Sequence, residues 1–162
     1  MIYDDYIYRL SAVAPQSPLC TISLPLSIDL PKDLKWEDEL KWSPVNQTVE
    51  FSTTGALLIQ EGAKQKGRPI TLVGVDDMAW LTRPQGLILQ SMQYSPGLVM
   101  DLRFVDSANA SNILWSKNVM FRHSEGGLDM DNIKHFDQYE PDAWYIVRAI
   151  RFMETLSYGE QQ

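Results

Sequence analysis

Apolar residues recur at every second position in one stretch of this chain after another. That spacing limits the fold more than any other feature. Cys20, Ile22, Leu24, Leu26, Ile28 and Leu30 share one parity, as do Val45, Val49 and Phe51, and again Leu98, Met100, Leu102 and Phe104. A period of two puts such side chains on one face of a β-strand. In 19–30 Pro25 removes a ladder donor, so that strand is expected at an edge, bent or broken. Residues 113–122 should pair back on 98–105 as a hairpin. Residues 144–156 carry apolar side chains on both parities, Trp144, Ile146, Ile150 and Phe152 against Tyr145, Val147, Ala149 and Met153. A strand apolar on both faces belongs in the middle of a sheet.

One segment departs from this period. Leu87, Ile88, Ser91 and Met92 have the spacing of a helix face. Thr82 stands where an N-cap belongs, Pro84 falls in the first turn, and Ser95-Pro96-Gly97 closes the segment. A helix over about 82–94 is expected.

The stretch 55–83 is the pivot of the pattern. Two apolar runs, 56–59 and 70–73, flank a polar bend holding Gly62, Lys64, Lys66, Gly67, Arg68 and Pro69. Glycine reaches positive φ and proline fixes φ, so this is loop chemistry. The expectation is a long hairpin over about 55–74 with a basic tip, shaped by Gly62, Gly67 and Pro69. On an acidic chain, Lys64, Lys66 and Arg68 are candidate contacts with a neighbouring subunit.

The fold class expected is mainly β (α+β), an antiparallel β-sandwich or barrel with one flanking α-helix. Residues 1–33 read as an N-terminal extended arm or edge strand, 34–156 as the sandwich domain and 157–162 as a tail. Residues 34–42 lean to strand, with Asp38 off parity. Residues 123–139 read as a long loop, of a length that usually carries function or moves.

The chain has 162 residues and a net charge of −7. A phosphate-gripping protein usually shows a basic face, so specific nucleic-acid binding is disfavoured. Cys20 is the single cysteine, which leaves no intrachain disulfide and no cysteine-based zinc site from it alone. Asp4 and Asp5 stand where a signal peptide would carry cations, and no apolar run nears the roughly 20 residues of a membrane span. A soluble protein of a reducing cytoplasm, without a membrane, is expected.

The search for chemistry returns little. His123 and His135 bracket Asp129 and Asp131, but the spacing matches no metal pattern. The run from Asp129 resembles a calcium loop, yet Lys134 stands at its sixth position, where the sharp turn needs glycine. Glu37, Asp38 and Glu39 read as a solvated acidic rim. No G-x-S-x-G, P-loop or G-x-G-x-x-G is present. No enzyme, catalytic residue, metal or cofactor is expected. Trp36, Trp42, Trp80, Trp115 and Trp144 read as core or interface anchors, with a carbohydrate platform as the alternative.

The run GAKQKGRPITLVG at 62–74, the WLTR at 80–83 before a helix, FRHSEG at 121–126 and DAWYIVRAIRFMET at 142–155 together resemble small tail proteins of tailed bacteriophages and prophages. The resemblance covers about 34–156 and rests on structural motifs. It implies a β-sandwich or barrel of the tail-tube or distal-tail kind, a virion protein assembled in the host cytoplasm. Its implied partners are other phage tail proteins and further copies of itself, in a ring that is commonly six-fold. It implies no catalytic residue. A small ligand- or carbohydrate-binding β-module is the alternative reading.

Overall fold

The computed structural model describes residues 6–15, 26–133, 140 and 142–155. The protein is mainly β and antiparallel throughout, with one flanking α-helix. The strands are β1 (Tyr6–Pro15), β2 (Ser27–Asp29), β3 (Leu34–Trp36), β4 (Val45–Phe51), β5 (Leu57–Ala63), β6 (Pro69–Gly74) and β7 (Trp80–Thr82). Helix α1 (Arg83–Gln93) follows, then β8 (Leu98–Asp106), β9 (Ile113–Phe121), β10 (Leu128–Asn132) and β11 (Trp144–Glu154).

Strand β11 is the spine. Along one side it pairs first with β6, Phe152 opposite Ile70, and then with β7, Tyr145 opposite Leu81. Along the other side it pairs with the end of β9, Phe152 opposite Phe121, and then with β10, Leu128 opposite Ile150. It is flanked by strands on both sides and so lies in the middle of the sheet. The register of β10 against β11 shifts between Asp129 and Met130, where Arg148 is the extra residue on β11. The buried set of β11 changes parity alongside it, from Val147 and Ala149 to Ile150 and Phe152.

The sheet runs β2-β1-β8-β9-β11-β6-β3 and folds over one core. Leu10, Ile28, Leu72, Leu102, Ile150 and Phe152, drawn from across that order, share one buried cluster. Trp36 of the edge strand β3 meets Trp115 of β9 at 5.4 Å between ring centroids. The described part of the N-terminal segment, β1, lies between β2 and β8, with Leu10 fully buried. Residues 16–25, which hold most of the 19–30 alternation, lie outside the described residues, and so does the tail at 157–162.

Four expectations change. The hairpin over 55–74 does not form, because β5 pairs with β4 and β6 pairs with β11 and β3. Ile70 and Leu72 are fully buried, and only the main sheet can cover them. The loop expected over 123–139 contains a 3-10 turn, His123–Glu125, and strand β10, since Leu128 and Met130 find cover against the core. The strand expected over 34–42 ends at Trp36, where Asp38 turns inward. The helix buries Gly86, Leu89 and Met92, while Leu87 and Ser91 face solvent. Gly86 packs beside Met130 of β10, where an added Cβ would make ordinary contact with Met130 Cε at 3.4 Å. The helix start is as expected: Gln85 Oε1 accepts from the Thr82 N–H at 3.1 Å and from its hydroxyl at 3.0 Å.

Candidate interaction surface

Strands β4 and β5 form a two-stranded ribbon separate from the main sheet. Its turn is closed by local bonds. The Ser52 N–H donates to the Ala56 carbonyl at 2.8 Å, the Gly55 N–H to the Ser52 carbonyl at 2.9 Å, and the Ala56 N–H to Ser52 Oγ at 2.9 Å. Gly55 supplies the positive φ, +84°, that the turn needs.

The register makes the ribbon two-faced. Cross-strand partners share a face, and the pairs Val45–Ala63, Gln47–Glu61, Val49–Ile59 and Phe51–Leu57 lie on one side. The other side holds Asn46–Gly62, Thr48–Gln60 and Glu50–Leu58. One face is therefore an apolar stripe, crossed by a single polar pair in which Gln47 Nε2 donates to Glu61 Oε1 at 2.6 Å. Every residue of both strands is exposed, and Phe51 at the distal end is 73% exposed. An isolated two-stranded ribbon is marginal in water and normally needs a third strand or a packed face.

The ribbon's root is firmly tied. The Lys64 N–H donates to the Pro44 carbonyl at 2.6 Å. At the exit, Gly67 takes φ +92° and donates its N–H to the Glu154 carbonyl at 3.0 Å, while Glu154 returns its N–H to the Arg68 carbonyl at 2.8 Å. Pro69 then opens β6. The Arg68 guanidinium stacks 4.6 Å from the Trp36 ring centroid and donates to the Glu39 carbonyl. So the basic residues mark the root of a ribbon, not its tip. Lys64 and Lys66 face solvent there, and Arg68 is held against the body. Gly62 lies within β5 opposite Asn46, where a Cβ would meet nothing within 4 Å.

Beside that root sits a polar hub that the sequence reading placed on an acidic rim. Asp38 is half-buried. It accepts from Trp36 Nε1 at 2.7 Å, the Thr71 N–H at 2.9 Å and Thr71 Oγ1 at 2.7 Å, and Arg122 Nη2 stands 3.9 Å away. Its break in the strand parity was the visible signal. The hub fixes where β3 stops and where the ribbon departs.

A second apolar surface lies at the other end of β11. Trp80 and Trp144, each about half exposed, pack at 6.2 Å between centroids. With Asn132, Ile133, Glu140, Asp142 and Ala143 they line an open pocket of about 490 Å³. Trp80 Nε1 donates to the Asp77 carbonyl at 2.5 Å, which fixes that ring.

The other candidates are accounted for locally. Asp131 accepts from Arg148 Nε at 2.9 Å, and Asp129 stands 4.0 Å from Arg151. His123 is exposed beside Phe121, and His135 lies outside the described residues. Among the described residues no group of three or more His, Cys, Asp or Glu side chains could hold a metal ion. No described helix is long and apolar enough to cross a membrane. No protein-family model, curated protein or solved structure matches the chain.

Proposed function

We propose that this chain is a structural component of a bacteriophage tail, at the tail tip, baseplate or distal-tail ring, and that it assembles through protein–protein contacts. The observation that carries the reading is the β4–β5 ribbon. Seven-residue strands with an apolar stripe stand clear of the body. Such a stripe in water is the mark of a surface that another protein covers. The resemblance of residues 62–74, 80–83, 121–126 and 142–155 to phage tail proteins supplies the class of assembly. Lys64 and Lys66, at the root, offer local positive charge to an acidic neighbour on a chain of net charge −7.

Purified protein, alone and mixed with the tail proteins encoded beside it, should give rings or tail sub-assemblies by mass photometry and negative-stain imaging. Replacing residues 46–62 with a short Gly-Ser link should abolish them and leave the melting of the body unchanged. A strict monomer that joins no tail protein and is absent from virions would sink the reading. The second reading, a saccharide-binding module, draws on Trp80 and Trp144 flanking an open pocket with carboxylates at its rim. A glycan array without a single hit removes it.

A further inference from the structure

The turn at 75–78 breaks a rule that the rest of the described chain keeps. Asp76 takes φ +47° and Asp77 φ +58°, and every other described residue at positive φ is a glycine. The Met78 N–H closes the turn on the Val75 carbonyl at 2.9 Å. Two successive positive φ values usually call for Asn-Gly or Asp-Gly, because a side chain crowds the backbone there. Such a conformation persists where its surroundings hold it.

The holder here is Arg148. It is the extra residue on β11 where the register against β10 shifts, and an extra residue of this kind re-aims its side chain. One guanidinium on β11 thereby reaches two other elements. Arg148 Nη1 donates to Asp77 Oδ1 in the turn, and Arg148 Nε donates to Asp131 Oδ2 of β10 at 2.9 Å. Asp77 passes the hold on. Its carbonyl accepts from Trp80 Nε1 at 2.5 Å, and the Trp80 ring meets that of Trp144 at 6.2 Å. All three charges are open to solvent, with side chains 43%, 61% and 59% exposed for Arg148, Asp77 and Asp131. Salt screens such pairs, whereas it hardly reaches Asp38 and Arg122, which are 16% and 15% exposed.

We infer that Arg148 is a salt-sensitive latch. It keeps the Asp76-Asp77 turn at positive φ and, through the Asp77 carbonyl, keeps the Trp80 indole in place. Screening its charge releases both. The latch belongs to the single chain, so it stands or falls apart from the assembly reading.

Fluorine NMR of protein labelled with fluorotryptophan tests it, with Trp80→Phe to assign the Trp80 signal. Raising salt from about 10 mM to about 1 M shortens the screening length from roughly 30 Å to 3 Å. In the unaltered protein this should shift the Trp80 signal towards its position in the unfolded chain, while those of Trp36 and Trp115 stay. Arg148→Met should show the shifted signal already at low salt and respond no further. Asp77→Gly lets the turn hold positive φ unaided. It should keep the Trp80 signal at its low-salt position throughout, and restore that position when combined with Arg148→Met. Circular dichroism melting shows that each variant is folded, and the salt series on the unaltered protein needs no variant beyond the assignment. A Trp80 signal indifferent to both salt and Arg148→Met would overturn the inference. So would a shift that Asp77→Gly fails to reverse, since Arg148 would then reach Trp80 by another route. Trp36 and Trp115 moving along with Trp80 would mean general loosening in place of a latch, and would overturn it too.

Discussion

Two antiparallel pairs in this molecule look alike in sequence and end in opposite circumstances. β8 carries apolar residues at every second position from Leu98 to Phe104, β4 does so at Val45, Val49 and Phe51, and each pairs with the strand that follows it. Yet Leu98, Val99, Met100 and Leu102 of β8 are buried, while every residue of β4 and β5 is exposed. The pair β8–β9 continues on both sides, into β1 and β11. The ribbon continues on neither. Even an acid fares differently in the two. Asp101, buried in β8, accepts from Ser116 Oγ at 2.5 Å and pairs with Arg103 at 2.5 Å, whereas Glu61 bonds an exposed Gln47. Alternation thus says which side chains share a face. It does not say whether the chain itself covers that face. Where the chain does not, the proposed assembly would supply the cover.

That contrast can be broken by substitution. The largest effect should come from the body. Phe152 is fully buried against Phe121, and Phe152→Ala should destabilise the isolated chain by roughly 3–5 kcal/mol in urea unfolding. A loss under about 1 kcal/mol would mean the body is as loosely held as the ribbon.

Tyr8 of β1 gives the next largest effect. Burial first, and then the charge of Glu39, pushes its phenol up to about 12 from 10.0. The folded state keeps this proton at a pH where the unfolded chain has lost it. The stabilisation is therefore fully present below pH about 10 and is lost as pH rises to about 12, roughly 2–3 kcal/mol in all. Tyr8→Phe should flatten that alkaline decline. A decline of the same steepness in the variant would place its origin elsewhere.

Gly67 joins the two regions. It holds φ +92° in open space, so a side chain there strains the backbone without a clash. Gly67→Ala should cost on the order of 1 kcal/mol. An unchanged midpoint in thermal melting would show that the junction relaxes.

The smallest effect belongs to the ribbon itself. Phe51→Ala, or Lys64→Glu with Lys66→Glu, should change the isolated chain by about 0.5 kcal/mol or less, since these side chains touch water. Both should weaken assembly. If the lysine variant lowers the melting temperature of the isolated chain, those cations pair within the fold.

The sequence carried the fold class plainly. Alternation located most strands, the doubly apolar run marked β11 as central, and Thr82 with Pro84 located the helix. It misjudged which strand β5 would join. Turn chemistry stands on both sides of β5, at Thr53-Thr54-Gly55 and around Gly67, so local signals could not choose. The choice was made by Ile70 and Leu72, whose burial required β11, a partner about 80 residues away. Strand β10 was hidden for a related reason. Only Leu128 and Met130 alternate with its acids, and those acids find their arginines on β11. The Trp80–Trp144 pocket was beyond reading, because it depends on β7 pairing with the start of β11.

Hydrogen exchange, followed by mass spectrometry, tests the central claim most directly. In the isolated chain, amides of β8, β9 and β11 should resist exchange far longer than those of β4 and β5, and on assembly the ribbon should gain protection of the same order. Ribbon amides as protected as those of β8 in the isolated chain, or unchanged on assembly, would contradict it.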